Sequence, residues 1–292
     1  MTWPRLFLAG TLLALPVIVH GQPPVFRARV DLVRLDVSVR RSDRPVVGLR
    51  ADDFVLTDNG HAQRLESASL ESMPLSVLLV LDTSFSMAGP RFANLISGAK
   101  GVLKSLRPED RVALLTFSSH ITLRVELTDD FDLVERALDE LTPSGATSLR
   151  DAVYTSLKVA LAHASRGIAL VFSDGLDTLS WLTPEQIVTS VKSVDLVIYG
   201  VELTDPPRGM RASSTGDQIL VPITEATGGR RWVTDQSARI GPLLLEALAD
   251  MRARYLLTYY PEPAVASGWH ELKVTLKTGR GDILTRPGYL VP

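Results

Sequence analysis

Three hydroxyl side chains and two carboxylates stand at positions suited to oxygen chemistry. Asp82, Ser84 and Ser86 alternate through Leu81-Asp82-Thr83-Ser84-Phe85-Ser86-Met87, Thr147 lies in Gly145-Ala146-Thr147-Ser148, and Asp174 lies in Phe172-Ser173-Asp174-Gly175. None of them offers sulfur or imidazole. A mixture of neutral hydroxyls and a few carboxylates suits a hard divalent cation such as Mg²⁺, which prefers oxygen donors in octahedral geometry. A Ser or Thr hydroxyl coordinates through a lone pair while staying neutral, so the metal keeps net positive character. With some donors acting through water, at least one coordination position is expected to remain open for an external anion.

The segments around these residues predict how they are positioned. Ser76-Val77-Leu78-Leu79-Val80-Leu81 has the length and composition of a strand buried on both faces, so Asp82, Ser84 and Ser86 emerge at a strand's end. Phe92, Leu95, Ile96, Ala99, Val102, Leu103 and Leu106 then recur with the spacing of an amphipathic helix. Arg111–Phe117, Ile168–Phe172 and Leu196–Val201 read as further strands. Helical patterns cover Phe131–Leu141, Ser148–Ala164, the stretch after Pro184 and Arg239–Met251, and Thr224–Gly229 reads as a helix closed by glycine. Strands alternating with helices between Pro74 and Met251 predict an α/β, doubly wound, mostly parallel sheet with helices on both faces. Such sheets bind ligands beyond the carboxyl ends of their strands, where strand order reverses, and the five oxygen-bearing residues are expected at those ends.

The constellation Asp82-x-Ser84-x-Ser86, Thr147 and Asp174 resembles the metal-ion-dependent adhesion site of von Willebrand factor type A domains, with all five positions matched. The resemblance implies that Ser84, Ser86 and Thr147 bind the metal directly and that Asp82 and Asp174 hold it directly or through water. It implies a Mg²⁺ ion, with Mn²⁺ or Ca²⁺ as substitutes, and a protein partner whose Asp or Glu completes the coordination. Ala88-Gly89-Pro90 follows Met87 without the adjacent aspartates that build a second cation site in integrin β-chain domains, so a single metal is expected. Most of the chain also resembles secreted bacterial proteins in which a type A domain is flanked by short β segments and ends in a motif like Arg286-Pro287-Gly288-Tyr289.

Each residue also has a plainer reading. Asp82, Ser84 and Ser86 are good helix caps, as are Thr147 and Ser148, and Asp174-Gly175 is an ordinary turn pair. Arg91 and Met87 border the first loop, where they contact a partner or simply pack. His120 and His163 have no visible nucleophile or positioned partner, and Asp177 and Asp205 are assigned no role. Two functional classes follow: a metal-dependent protein-binding module, or a hydrolase using the same cation as a Lewis acid. A hydrolase needs a general base or an activated nucleophile, and neither is evident, so the chain is read as a binding module and not an enzyme.

Composition bounds the rest. The 292 residues carry 31 basic and 33 acidic side chains, a net charge of −2 that makes no electrostatic case for nucleic acid. Hydrophobic content of 45% supports a substantial core, and the absence of cysteine excludes thiol catalysis, zinc–thiolate sites and disulfides. Arg5, the apolar run Leu6–Val19 and the small residue Gly21 read as a secretory signal peptide over residues 1–21. Export to a periplasmic or extracellular location, with no stable membrane anchor after cleavage, is therefore expected.

Residues 22–72 are β-rich, with Asp58-Asn59-Gly60 as a hairpin turn. Arg254–Tyr260, His270–Lys277 and Asp282–Thr285 read as further strands, with Gly279-Arg280-Gly281 as a second hairpin turn. Residues 252–292 are thus expected to pack with 22–72 as a small β-sandwich beside an α/β domain over 73–251.

Overall fold

The computed structural model describes residues 32–42, 44–70, 73–161, 166–174, 177–204, 219–263, 267–279 and 281–291. The expected signal peptide, His163 and Asp205 lie outside the described residues. The first strands are β1 (Val33–Arg41), β2 (Arg44–Pro45), β3 (Phe54–Asp58), β4 (His61–Gln63) and β5 (Leu65–Ser69). Asn59 and Gly60, at φ 48° and 80°, join β3 to β4. Positive φ at both central residues is what a type I′ hairpin demands, and Asn-Gly meets it with little strain.

The chain then alternates: β6 (Leu75–Asp82), α1 (Pro90–Ser105), β7 (Arg111–Phe117), β8 (Ile121–Thr128), α2 (Phe131–Asp139), α3 (Leu149–Leu161), β9 (Arg166–Ser173), α4 (Pro184–Val191), β10 (Leu196–Leu203), α5 (Leu220–Thr227), β11 (Arg231–Thr234) and α6 (Ile240–Arg252). Their six-stranded sheet has the order β11-β10-β9-β6-β7-β8, parallel except for β8. Every residue of β6 is buried because both faces are covered. Leu75, Val77, Leu79 and Leu81 face α1, α2 and α6, whereas Leu78 and Val80 face α3, α4 and α5. Strand order reverses between β6 and β9, since the chain leaves β6 toward β7 and β8 and returns to its other side as β9.

The antiparallel edge strand β8 was not evident in the sequence. Only Val125 of its residues is buried, so Ile121–Thr128 carries no long apolar run to announce it.

After α6 come β12 (Tyr255–Tyr259), β13 (Gly268–Leu276), β14 (Asp282–Leu284) and β15 (Gly288–Val291). The sheet β14-β1-β12-β5, with β2 paired to β1, and the sheet β15-β13-β3-β4 each mix strands from the two ends of the chain. Leu35, Val37, Phe54, Leu56, Leu257 and Val274 close the core between them, as expected of a sandwich built from both termini.

The expected hairpin at Gly279-Arg280-Gly281 is corrected. β13 pairs with β3 and β15, whereas β14 pairs with β1 in the other sheet, so this segment crosses between the two sheets. Glycines announce a turn, but they do not select the next strand's partner. Here Ile283 lies opposite Val39 of β1 and packs on the sandwich core.

A buried ionic network joins the sandwich to the α/β part. Asp250, near the end of α6, accepts from Arg40 Nη1 at 2.6 Å and Ser38 Oγ at 3.3 Å in β1. It also accepts from Tyr199 Oη of β10 at 2.6 Å and from Arg254 Nη2 at 3.3 Å. Burial works against the ionised carboxylate, but Arg254, the Tyr199 hydroxyl and Arg40 together hold Asp250 below the usual carboxylate range. Arg254 is wholly buried, and its Nη2 also donates to the Gly228 carbonyl at 2.7 Å.

Candidate metal centre

Three loops meet where β6 and β9 end, the position at which a doubly wound sheet opens a binding crevice. The first follows β6. Thr83 turns the chain by donating its backbone N–H to the Phe117 carbonyl at 2.8 Å, and a short 3-10 turn spans Phe85–Met87. Met87 is buried in the core and anchors that turn. Asp82 is fully buried. Its Oδ1 accepts from the Ser84 N–H at 2.8 Å and its Oδ2 from Ser173 Oγ at 3.0 Å. Ser84 Oγ and Ser86 Oγ lie 3.0 Å apart.

That pairing is a contact between two hydroxyls and not a helix-capping bond. Ser84 makes no side-chain cap bond, and α1 begins instead at Gly89 and Pro90 without a side-chain cap. The two hydroxyls converge on one another and on no helix end.

The second loop, preceding α3, is laced to the first. The Ser144 N–H donates to the Thr83 carbonyl at 2.8 Å, and the Phe85 N–H donates to the Gly145 carbonyl at 2.9 Å. Gly145 sits at φ +79°, where a Cβ would lie 2.5 Å from Ser119 Oγ, so both backbone and space require glycine. Ser119 Oγ instead accepts from the Ala146 N–H at 2.9 Å. Thr147 is buried at this crossing, while Ser148 donates its hydroxyl to the Ser118 carbonyl at 2.7 Å.

The third loop follows β9 and contains Asp174, which is half-buried. It is tied to the second by Thr178 and Leu179, whose N–H groups donate to the Thr147 carbonyl at 2.9 and 3.0 Å. Asp174 lies next in sequence to Ser173, the residue that binds Asp82. Burial first, and the neighbouring charge of Asp174 second, push the Asp82 carboxyl up to about 7.

The donors therefore fit a hard cation. Three neutral hydroxyls and two carboxylates stand in laced loops, and one carboxylate is buried under conditions that penalise its charge. Among the described residues no group of three or more His, Asp or Glu gathers as a metal cluster, so a cation here would draw on hydroxyls.

Several residues that position the site were missed or given no role. Ser173 holds Asp82. Asp177 accepts from the Arg150 N–H at 2.8 Å, from the N–H groups of Leu179 and Ser180 at 3.3 and 3.0 Å, and from Ser180 Oγ at 2.6 Å. It thus pins the third loop to the first turn of α3. Asp151 completes the attachment by accepting from the Trp181 and Leu182 N–H groups, both at 3.0 Å. The only hint in the sequence was acidic character near a strand end and a helix start, which many loops share.

His120 is exposed on the β7–β8 turn, where its carbonyl accepts from the Ser118 N–H. Arg91 is buried against the first loop, with Nη1 3.4 Å from the Ser86 carbonyl.

Residues 77–176 match the family model of the von Willebrand factor type A domain. The inter-alpha-trypsin inhibitor heavy chain H2 of Homo sapiens is 28% identical over 138 residues, covering 42% of this chain and 14% of that protein. The chain therefore corresponds to about a seventh of that relative's length. Among solved structures, a von Willebrand factor type A protein from Catenulispora acidiphila superposes with a TM-score of 0.53 at 12% identity, covering 85% of this chain and 75% of that one. The PilB minor pilin from Streptococcus sanguinis gives 0.51 at 11% identity, over 63% and 62% of the two chains. These structural likenesses establish the fold.

Proposed function

Because residues 77–176 of this chain form a von Willebrand factor type A domain, we propose that it is a cation-dependent protein-binding module of an exported protein. Ser84, Ser86 and Thr147 would hold the cation through their hydroxyls, and Asp82 and Asp174 through carboxylate oxygens or water. When bound, a Mg²⁺ ion supplies a Lewis-acidic position that an Asp or Glu of a partner can occupy.

The protein's own part is preorganisation. Ser173 and the Ser84 N–H orient the Asp82 carboxylate, and Met87 anchors the turn that presents Ser84 and Ser86. The Thr147 carbonyl holds the third loop. The observation that carries this reading is the convergence of Ser84 Oγ and Ser86 Oγ, 3.0 Å apart, next to a fully buried carboxylate at the reversal of strand order. Export is supported by the basic start and apolar run of residues 5–19. Among the described residues, no helix is long and apolar enough to cross a membrane.

The test is calorimetric titration of the chelator-stripped protein with Mg²⁺, Mn²⁺ and Ca²⁺, repeated in the presence of acetate. Binding at one site is expected, with at least about tenfold weakening in Asp82→Ala and Thr147→Ala. Unchanged cation affinity in both variants would overturn the reading.

A further inference from the structure

The loops of the proposed centre carry large apolar side chains that they do not bury. Phe85, between Ser84 and Ser86, is 70% exposed, and Trp181 and Leu179 in the third loop are 92% and 44% exposed. This is not a failure of the loops to pack. Two residues after Phe85, in the same short turn, Met87 is completely buried, so the turn directs one large side chain inward and the other to solvent.

Their backbones are held. The Phe85 N–H binds the Gly145 carbonyl at 2.9 Å, the Leu179 N–H binds the Thr147 carbonyl at 3.0 Å, and the Trp181 N–H binds Asp151 Oδ2 at 3.0 Å. Leu179 is thus one hydrogen bond from a residue of the centre. Trp181 lies two residues beyond, within about 7 Å along the chain. Phe85 borders the centre from the first loop and Leu179 and Trp181 from the third. Exposed large apolar groups on a fixed backbone are the pattern of a docking surface, because little freedom remains to be lost on binding and Trp is the strongest anchor type.

The nearby charges narrow the partner further. Arg91 is buried against the Ser86 carbonyl, and Arg150 is engaged with Asp177 through its backbone N–H and its guanidinium. Among the described residues, these two arginines beside the centre are thus engaged within the loops, and Phe85, Leu179 and Trp181 offer apolar contact.

We infer that Phe85, Leu179 and Trp181 form an apolar rim that receives a bulky apolar side chain adjacent to the partner's carboxylate. The partner is then a protein segment with one acidic residue flanked by apolar ones. This inference rests on the cation-dependent reading and names the partner of the same site.

Two acetylated and amidated pentapeptides test it on the full chain in Mg²⁺, one with aspartate between glycines and one with aspartate between leucine and phenylalanine. The second is expected to bind about tenfold more tightly and to shift the emission of Trp181 to the blue. In the double variant Phe85→Ser, Trp181→Ser, the preference should fall to about twofold or less, while cation affinity by calorimetry stays unchanged. Equal binding of the two peptides, with the cation bound, overturns the rim and leaves the cation site standing. Absence of any Mg²⁺-dependent peptide binding, together with no cation uptake, overturns both. A dimer that forms without Mg²⁺ and is lost in the double variant would assign the patch to a second copy of the chain and overturn the inference.

Discussion

Asp82 shows how one side chain carries both a cost and a use. Burial and the charge of Asp174 push its carboxyl up to about 7, whereas in an unfolded chain it titrates near 3.8. Between these values the folded protein retains a proton that the unfolded chain releases, so this group's contribution to stability falls as pH rises from about 4 to 7. A cation held at the proposed centre would reverse the sign above that range by binding the ionised form. Chelator-treated wild type should accordingly lose stability relative to Asp82→Asn across pH 4 to 7, and Mg²⁺ should raise the wild-type melting temperature at pH 8 more than at pH 5. Parallel pH profiles of the two proteins in thermal melts would count against it.

At the scale of elements, the third loop depends on helix α3. Asp177 accepts from the Arg150 N–H at the start of α3 and from Leu179, Ser180 and the Ser180 hydroxyl in its own loop. Asp177→Ala removes a helix cap and frees the Ser180 N–H and hydroxyl, while the Leu179 N–H keeps only the Thr147 carbonyl. A loss of about 1–2 kcal/mol is expected from the cap, or roughly 2–8 °C in melting temperature. Hydrogen exchange at Leu179 and Ser180 should accelerate far more than at Val171 in β9. Cation affinity should weaken as well, since Leu179 and Thr178 hold the Thr147 carbonyl. Uniform exchange rates in variant and wild type would show that the loop is held by other means.

Across the whole molecule, the sandwich and the α/β part share a buried network around Asp250. Asp250 receives Arg40 and Ser38 from β1, Tyr199 from β10 and Arg254 from the segment entering β12. Asp250→Ala strands Arg254 as an uncompensated buried charge, at a cost of roughly 3–5 kcal/mol. It also removes one of the ties between the two parts, leaving the Asp36–Arg166 pair between β1 and β9. Calorimetric unfolding, expected as one transition in wild type, should split into two in the variant. A single transition at an unchanged temperature would mean that the network contributes no coupling.

Much of the type A architecture was legible because its physical causes are local. A strand buried on both faces must be apolar throughout, as Val77–Leu81 is, and an amphipathic helix must repeat its apolar residues as Phe92–Leu106 does. The type I′ turn was legible for the same reason, because Asn59-Gly60 is among the few pairs that tolerate its backbone. The candidate ligands were visible through their types and their places at strand ends.

Tertiary structure alone decided what depends on partners distant in sequence. It paired β14 with β1 across the sandwich and added the half-exposed edge strand β8. It brought Ser173 to Asp82, Asp177 to α3 and Asp250 to Arg40, contacts that span 91, 27 and 210 residues. It also left Phe85 and Trp181 facing water, which no local pattern distinguishes from aromatics bound for a core. Local periodicity encodes which face of an element is apolar. Only the closed fold determines what that face, or a side chain in a loop between elements, will meet.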